Sequence, residues 1–333
     1  MRQKIILLLC ALAATAPAVA IDVTRPDVAA WIEATAREHK LDAAAIRQTL
    51  AAAEVQQSIL EAIARPAEKA KPWSEYRAIF ITPERVAAGV LFWREHAERL
   101  ERIATSTGVP AEMLAGIIGV ETYFGQRAGK HRLVNALTTL AFEYPPRAEF
   151  FKKELAQLFV LAKEEKVPLD SALGSYAGAM GVPQFIPSSY RNFAVDGDAD
   201  GQRDLFGNWD DVLSSVANYF VKHNWKAGEA VATRAQLTSP CELDPEQNLL
   251  KPDTTVAALD GAGVRFTSDR PGDAAAGLLS YDGRDGREYW VGFDNFFVIT
   301  RYNRSTMYAL AVYQLGQAIG EAVRAQATAA TTP

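Results

Sequence analysis

The chain has 333 residues with 35 Lys and Arg against 40 Asp and Glu, a net charge of −5 at pH 7 and a pI near 5.6. That length can bury the cores of roughly two or three compact units, and the acidic balance excludes a nucleic-acid binder, which needs a basic face. His39, His96, His131 and His223 are scattered with no HxxxH or HExxH pair, and Cys10 and Cys241 stand far apart, so a Cys/His zinc site is excluded too.

Residues 1–20 read as an export signal. Arg2 and Lys4 give a basic start, Ile5 to Ala14 is apolar, and Ala18, Val19 and Ala20 form an A-x-A cleavage site. The apolar run is too short to cross a membrane as a helix. A mature chain beginning at Ile21 and a periplasmic location are expected. Cys10 raises the alternative of a lipid anchor, but Leu9 before it is the wrong residue for a lipobox. After cleavage Cys241 is the only cysteine, so no internal disulfide can form, and a free, buried thiol is expected.

Residues 21–72 are Ala-rich and predict two or three short helices, one carrying Val28, Trp31, Ile32 and Ala36, another carrying Ile46 and Leu50 behind Asp42 as N-cap. They form an N-terminal helical unit expected to pack with the C-terminal helix, and Pro66 and Pro72 mark the linker that closes it. A core unit follows over 73–227. Thr82 is a good N-cap with Pro83 at the first helical position, and the helix carries Val86, Val90, Trp93, Ala97, Leu100 and Ile103 on one face until Gly108 ends it. Pro110 starts a second helix, expected to lie antiparallel or nearly so to the first, which runs through Met113 and Ile117 to Glu121.

Between Glu112 and Arg127 the only charged side chain is Glu121, and its helical neighbours are Ile117, Ile118, Phe124 and Gly125. A carboxyl group among apolar side chains is desolvated, which favours its protonated form and suits it to donate a proton near neutral pH. The competing reading is a Glu at a helix end that swings into water.

Gly125 to Lys130 fails as a phosphate loop, since three residues separate the glycines and His131 stands where Ser or Thr should be. Helices are expected over Asn135–Glu143 and 147–165, the second with Phe151, Leu155, Leu158 and Ala162 on its buried face. Residues 174–189 are too rich in Gly and Pro for a helix. They form either an ordinary tight hairpin or a loop that lets backbone approach a ligand, offering Ser175 and Gln184.

Asp196-Gly-Asp-Ala-Asp-Gly201 matches the first half of a calcium loop. Asp196, Asp198 and Asp200 can converge on one hard cation, Gln202 can offer its backbone carbonyl, and Asp204 falls at the ninth position. Gly207 stands where the closing bidentate Glu belongs, so Asp210 or Asp211 would have to complete the shell. The alternative is a solvated acidic loop. A cation here would be structural, and no cofactor for catalysis is expected.

Trp209–Trp225 returns to a helical pattern that includes Tyr219. Residues 228–300 predict a small β subdomain with strand-like runs at Thr255–Leu259, Val264–Thr267, Glu288–Val291 and Phe296–Arg301, and two Asp-Gly turn signals between Tyr281 and Arg287. Residues 301–333 close the chain with a helix from Ser305 bearing Tyr308, Ala311, Val312, Leu315, Ile319 and Val323, and a frayed tail from Ala327. Asn303 to Ser305 matches a glycosylation sequon, a frequent chance match.

Three stretches together carry a family likeness: Gly116-Ile-Ile-Gly-Val-Glu-Thr122, Ala177-Gly-Ala-Met-Gly-Val-Pro-Gln-Phe-Ile-Pro-Ser188 and Ile299-Thr-Arg-Tyr-Asn-Arg-Ser305. Supported by Tyr76–Pro83, Phe142–Pro145 and Ser215–Phe220, the chain from Trp73 to Gln317 resembles the lytic murein transglycosylase B family, glycoside hydrolase family 103. The resemblance implies a mainly α (α+β), lysozyme-like helical core with an accessory α domain and a small β domain. It implies cleavage of the β-1,4 bond between N-acetylmuramic acid and N-acetylglucosamine of peptidoglycan without water, leaving a 1,6-anhydro ring. Glu121 would then serve as single acid and base, assisted by the substrate's own acetamido group, which accounts for finding one isolated carboxyl where most glycosidases use two.

By the same resemblance Ser175 and Gln184 line the sugar cleft, and Tyr76, Tyr219, Tyr302, Asn303 and Tyr308 stack on or hydrogen-bond the glycan. Arg147 matches one of two adjacent arginines near the peptide-bearing part of the substrate, but its neighbour is Pro146, which leaves stem-peptide preference open. The family pattern favours Asp211 over Asp210 as late cation ligand. The implied partners are peptidoglycan glycan strands, with cell-wall synthases as candidate protein partners. Two rival readings are a hydrolytic muramidase on the same core and a non-catalytic, calcium-stabilised peptidoglycan-binding scaffold.

Overall fold

The computed structural model describes residues 19–64, 71–238, 243 and 248–331. Residues 1–18, which hold most of the expected export signal, lie outside the described residues, as do Pro66 and Cys241. A two-residue strand β1 (Val19–Ala20) pairs antiparallel with β2 (Glu54–Val55). Between and after them run α1 (Pro26–His39), α2 (Ala43–Ala51) and α3 (Gln57–Ala64). Pro26 sits at the start of α1, and Lys40 ends it in a left-handed conformation. Asp42 caps α2 by accepting from Ala44 N at 2.8 Å, as its position before the apolar stripe predicts.

The core unit contains α4 (Trp73–Phe80), α5 (Pro83–Glu95), α6 (Ala97–Thr107), α7 (Ala111–Thr122), β3 (His131–Arg132), α8 (Leu133–Glu143), α9 (Ala148–Glu165), β4 (Leu173–Gly174), α10 (Pro187–Phe193) and α11 (Trp209–Lys222). The N-terminal helices, expected against the C-terminal helix, pack chiefly on α8. Asn135 Oδ1 and Thr139 Oγ1 of α8 accept from the backbone of Glu54 and Gln56 and fix that seam. Thr82 caps α5 through Arg85 N.

The single helix expected from Pro83 to Gly108 is two. His96 leaves helical geometry at φ −113° and ψ 21°, where its buried ring meets Phe92 edge-on and lies tilted against Trp209, each at 4.7 Å. Gly108, left-handed at φ 70°, then ends α6. From α6 to α7 the chain turns through 118°, so the two are far from antiparallel. Among the described residues no single helix is long and apolar enough to cross a membrane.

The β subdomain holds β5 (Ala232–Leu237), β6 (Thr254–Thr255), α12 (Val256–Gly261), β7 (Val264–Phe266), β8 (Ala275–Gly283) and β9 (Gly286–Phe293). The strands form one sheet in the order β6-β8-β9-β5-β7, every neighbouring pair antiparallel. The β8–β9 hairpin turns at Arg284 and Asp285, between the paired Gly283 and Gly286.

Two expected strands are helical. Thr255–Leu259 falls mostly in α12. Phe296–Arg301 belongs to α13 (Asp294–Tyr302), whose residues Asn295 to Thr300 are all buried. A continuous apolar run of that length carries no period with which to tell strand from helix. The chain ends in α14 (Thr306–Thr331), which continues through the tail expected to fray, in keeping with the high helix propensity of its alanines.

The centre of the molecule is α7. Met113, Leu114, Ala115, Ile117 and Ile118 are at most 1% exposed, as befits a helix apolar on all sides. Its main partner is α14, which approaches so closely that side chains are excluded at two crossing points. A Cβ on Gly116 would stand 2.5 Å from Val312 O, and one on Gly316 would stand 2.2 Å from Glu112 O. Backbone oxygens cannot give way as a flexible side chain could. Gly316→Ala is therefore expected to destabilise the fold by about 1–3 kcal/mol, despite the ~1 kcal/mol that Ala gains in helix propensity. Urea unfolding checks this, and a higher midpoint for the variant would contradict the crossing described.

Candidate active site

Glu121 lies in the last turn of α7, one residue short of the helix end, and Thr122 is followed by three consecutive left-handed residues: Tyr123 (φ 51°), Phe124 (φ 59°) and Gly125 (φ 83°). This sharp exit holds the end of the helix at the surface of the core, and Glu121 is half-buried there. Thr122 Oγ1 donates to Val182 O at 3.0 Å and accepts from Gly125 N at 3.1 Å, tying the helix end to the glycine-rich loop.

Tyr308, buried at the start of α14, donates its hydroxyl proton to Glu121 Oε1 at 2.5 Å. Burial first, and then the Glu121 charge, hold the Tyr308 phenol well above its ordinary range, so it remains the donor. Tyr302 stacks on it at 6.5 Å and donates to Pro183 O at 2.7 Å, and its phenol is raised by the same two causes. Tyr219 packs on Tyr302 at 4.8 Å and donates to Arg301 O, and burial pushes its phenol up to about 12. The charge of Glu121 reaches both Tyr302 and Tyr308.

The remaining expected cleft residues divide. Tyr76 of α4 is buried, packs on Phe80 at 5.2 Å and stands close enough to Tyr308 to influence it electrostatically. Ser175 Oγ accepts from Ala177 N and Ala179 N, and Gln184, itself left-handed at φ 53°, donates Nε2 to Ala128 O and Gly181 O. These polar groups shape the loop, which is a tight hairpin bridged between Met180 and Phe185. Asn303 is exposed and extended at the end of α13. Arg147 is exposed, with its guanidinium over Phe150 at 4.3 Å and Phe151 at 5.1 Å. A groove of about 960 Å³, lined by Trp73, Trp290 and Tyr313 among others, does not include Glu121. The site is therefore placed by the partners of the carboxylate and not by cavity size.

The acidic loop brings together three of its five expected carboxylate ligands. Carboxylate oxygens of Asp196, Asp198 and Asp211 lie within 4.8 Å of one another. Asp211 is wholly buried, and its carboxyl is pushed above the usual range by burial and then by the charges of Asp198 and Asp196. Asp210 turns away to pair with Arg99 and Arg102, while Asp211 lies in the cluster. Asp200 and Asp204 stay outside the cluster: Asp200 Oδ1 accepts from Gln202 N, and Asp204 Oδ1 caps Phe206 N and Gly207 N. The Gln202 side chain donates to Glu165 O.

Among the described residues no Lys or Arg pairs with Asp196, Asp198 or Asp211; their balancing donors are backbone N–H groups and Asn208 Nδ2, 2.9 Å from Asp198 Oδ2. Hard oxygen donors without a protein counter-charge fit a divalent cation. Sequence reasoning missed Asn208 and Thr122; only an N-cap signal before Trp209 pointed to the first.

Residues 24–317 match the transglycosylase SLT domain. The chain is 40% identical over 305 residues to the membrane-bound lytic murein transglycosylase B of Escherichia coli K12, covering 88% of this chain and 82% of that one. Among solved structures, the catenated lytic transglycosylase SltB1 of Pseudomonas aeruginosa superposes with a TM-score of 0.85 at 44% identity, over 90% of this chain and 98% of that one. The E. coli lytic transglycosylase Slt35 in complex with calcium gives 0.82 at 38% identity, over 92% of this chain and 96% of that one. The lysozyme-like fold expected from the three sequence stretches is thus present, and the chain belongs to the transglycosylase SLT domain family.

Proposed function

We propose that the protein is a lytic transglycosylase that cleaves the β-1,4 bond between N-acetylmuramic acid and N-acetylglucosamine in peptidoglycan, with Glu121 as its sole acid and base. The observation that carries this reading is the hydrogen bond from Tyr308 to Glu121, with Tyr302 and Tyr219 packed behind it. A pair of carboxylates is the usual arrangement for glycosidases, and a single acid and base suits a substrate-assisted route.

Protonated Glu121 gives its proton to the glycosidic oxygen as the C1–O bond breaks, and the substrate acetamido oxygen stabilises the positive charge left at C1. Glu121, now a carboxylate, takes the proton of the C6 hydroxyl while that oxygen bonds to C1. The carboxyl ends as it began, and no water is consumed. Tyr308, fixed as a donor, steadies the carboxylate between these two transfers. The faces and hydroxyls of Tyr76, Tyr219 and Tyr302 suit the walls of a sugar site, since a phenol offers an apolar face and a polar tip. Ser175, Gln184 and Asn303 lie on the loops that border it.

Asp196, Asp198 and Asp211 would hold a calcium ion, with remaining positions filled by backbone or solvent oxygen. The ion would offset three negative charges and brace the loop, and no step of the reaction runs through it. Export to the periplasm, glycan strands as the ligand, and recruitment by cell-wall synthases complete the reading.

Three outcomes are expected. Glu121→Gln, which can neither give nor recover the proton, should lower turnover of purified glycan strands by roughly 100- to 10,000-fold while still binding them in a pull-down; retained cleavage would remove Glu121 from its role. Tyr308→Phe, which loses a hydrogen bond to a charged group, should lower kcat roughly 10- to 100-fold with KM little moved. Chelation of calcium should lower the melting midpoint by more than it lowers turnover at moderate temperature, and an identical melting curve with and without chelator would dismiss the ion.

A further inference from the structure

Arg85 is a cation buried in the interior. It lies in the first turn of α5, is 8% exposed, and a charge so buried is expected to be paired. Glu165 has Arg203 and Asp210 has Arg99. Among the described residues no carboxylate lies within ion-pair distance of Arg85, and its buried Nη1 has no hydrogen-bond partner. Its guanidinium instead sits 5.2 Å from the Phe80 ring and 5.0 Å from the Tyr123 ring. The exposed Arg127 covers the same Tyr123 at 4.8 Å. Burial, and then the charge of Arg127, hold the Arg85 guanidinium below its ordinary range.

A capping role does not account for this. A cation near the end of α7 could serve its last carbonyls, but Ile118 O is taken by Phe124 N and Thr122 Oγ1, and no Arg85 side-chain N–H bonds to a carbonyl among the described residues. Two cations around one ring repel, and folding bears that cost only where something else is gained. The location says what. Tyr123 follows Glu121 by two positions, and Phe80 touches Tyr76, the neighbour of Tyr308.

We propose that Arg85 and Arg127, stacked on Tyr123, form a receptor for a carboxylate of the peptide stem carried by the muramic acid. This rests on the proposed function. In an intact strand the sugars are neutral and the lactyl carboxyl is tied up as an amide, so the anions near the cleaved bond belong to the stem. A carboxylate accepts two parallel N–H bonds from a guanidinium, the geometry to which Arg is matched. Its charge would offset the repulsion between the two cations.

The test compares wild type, Arg127→Gln and Arg85→Met on two purified substrates, strands with intact stems and strands stripped of them, whose lactyl carboxylates are free. The ratio of kcat/KM for stem-bearing over stripped strands should fall by roughly fivefold or more in each variant, mainly through KM. Arg85→Met should melt at or above the wild-type temperature, because an unpaired buried cation gives way to an apolar chain of similar length. An unchanged ratio with a lowered melting point would make Arg85 structural and overturn the receptor. A ratio that rises would assign the carboxylate to the lactyl group and overturn the stem. Wild type that cleaves neither preparation would refute the proposed function instead.

Discussion

The approach of α14 to α7 is the constraint on which the site depends. Gly116 and Gly316 let the two backbones meet without side chains between them, and that contact sets where the first turns of α14 fall. Tyr308 then lands on Glu121, 187 residues earlier in the chain. Neither residue is notable alone: a tyrosine in a helical stripe reads as core, and a glutamate at a helix end reads as solvated. Brought to 2.5 Å they become a carboxyl group with a fixed donor, half-buried among aromatic rings. The chemistry is a consequence of helix packing.

The acidic loop is connected to the same place by backbone. Asp211 Oδ2 holds Asp204 N, the next residue's carbonyl, Leu205 O, holds Val182 N, and Val182 O accepts from Thr122 beside Glu121. Three negative charges gathered at one end of this relay strain it electrostatically, and a cation would relax it. That relay joins the acidic cluster to the helix end that carries Glu121 by hydrogen bonds, not by shared ligands.

What the amino-acid sequence made legible was local. The caps at Asp42 and Thr82 and the non-helical course of residues 174–186, though not of 187–189, which open α10, rest on chemistry within a few positions, and the structure keeps them. The readings that failed depended on distant partners or on patterns without a period. His96 breaks a helix where Trp209 lies against it. Phe296 to Arg301 was an apolar run with nothing to separate strand from helix. Arg85 gave no sign at all, since a cation in the first turn of an amphipathic helix is ordinary until its surroundings are seen to lack a counter-charge.

The central claim is that one carboxyl both gives and recovers the proton, leaving no role for water. The most direct measurement is the mass of the fragments released when purified protein acts on isolated glycan strands. Non-hydrolytic cleavage predicts terminal muramic acid residues lighter than hydrolysis products by one water and lacking a reducing end. Fragments that carry the added water, with a free reducing end, would contradict it and make the same fold a muramidase.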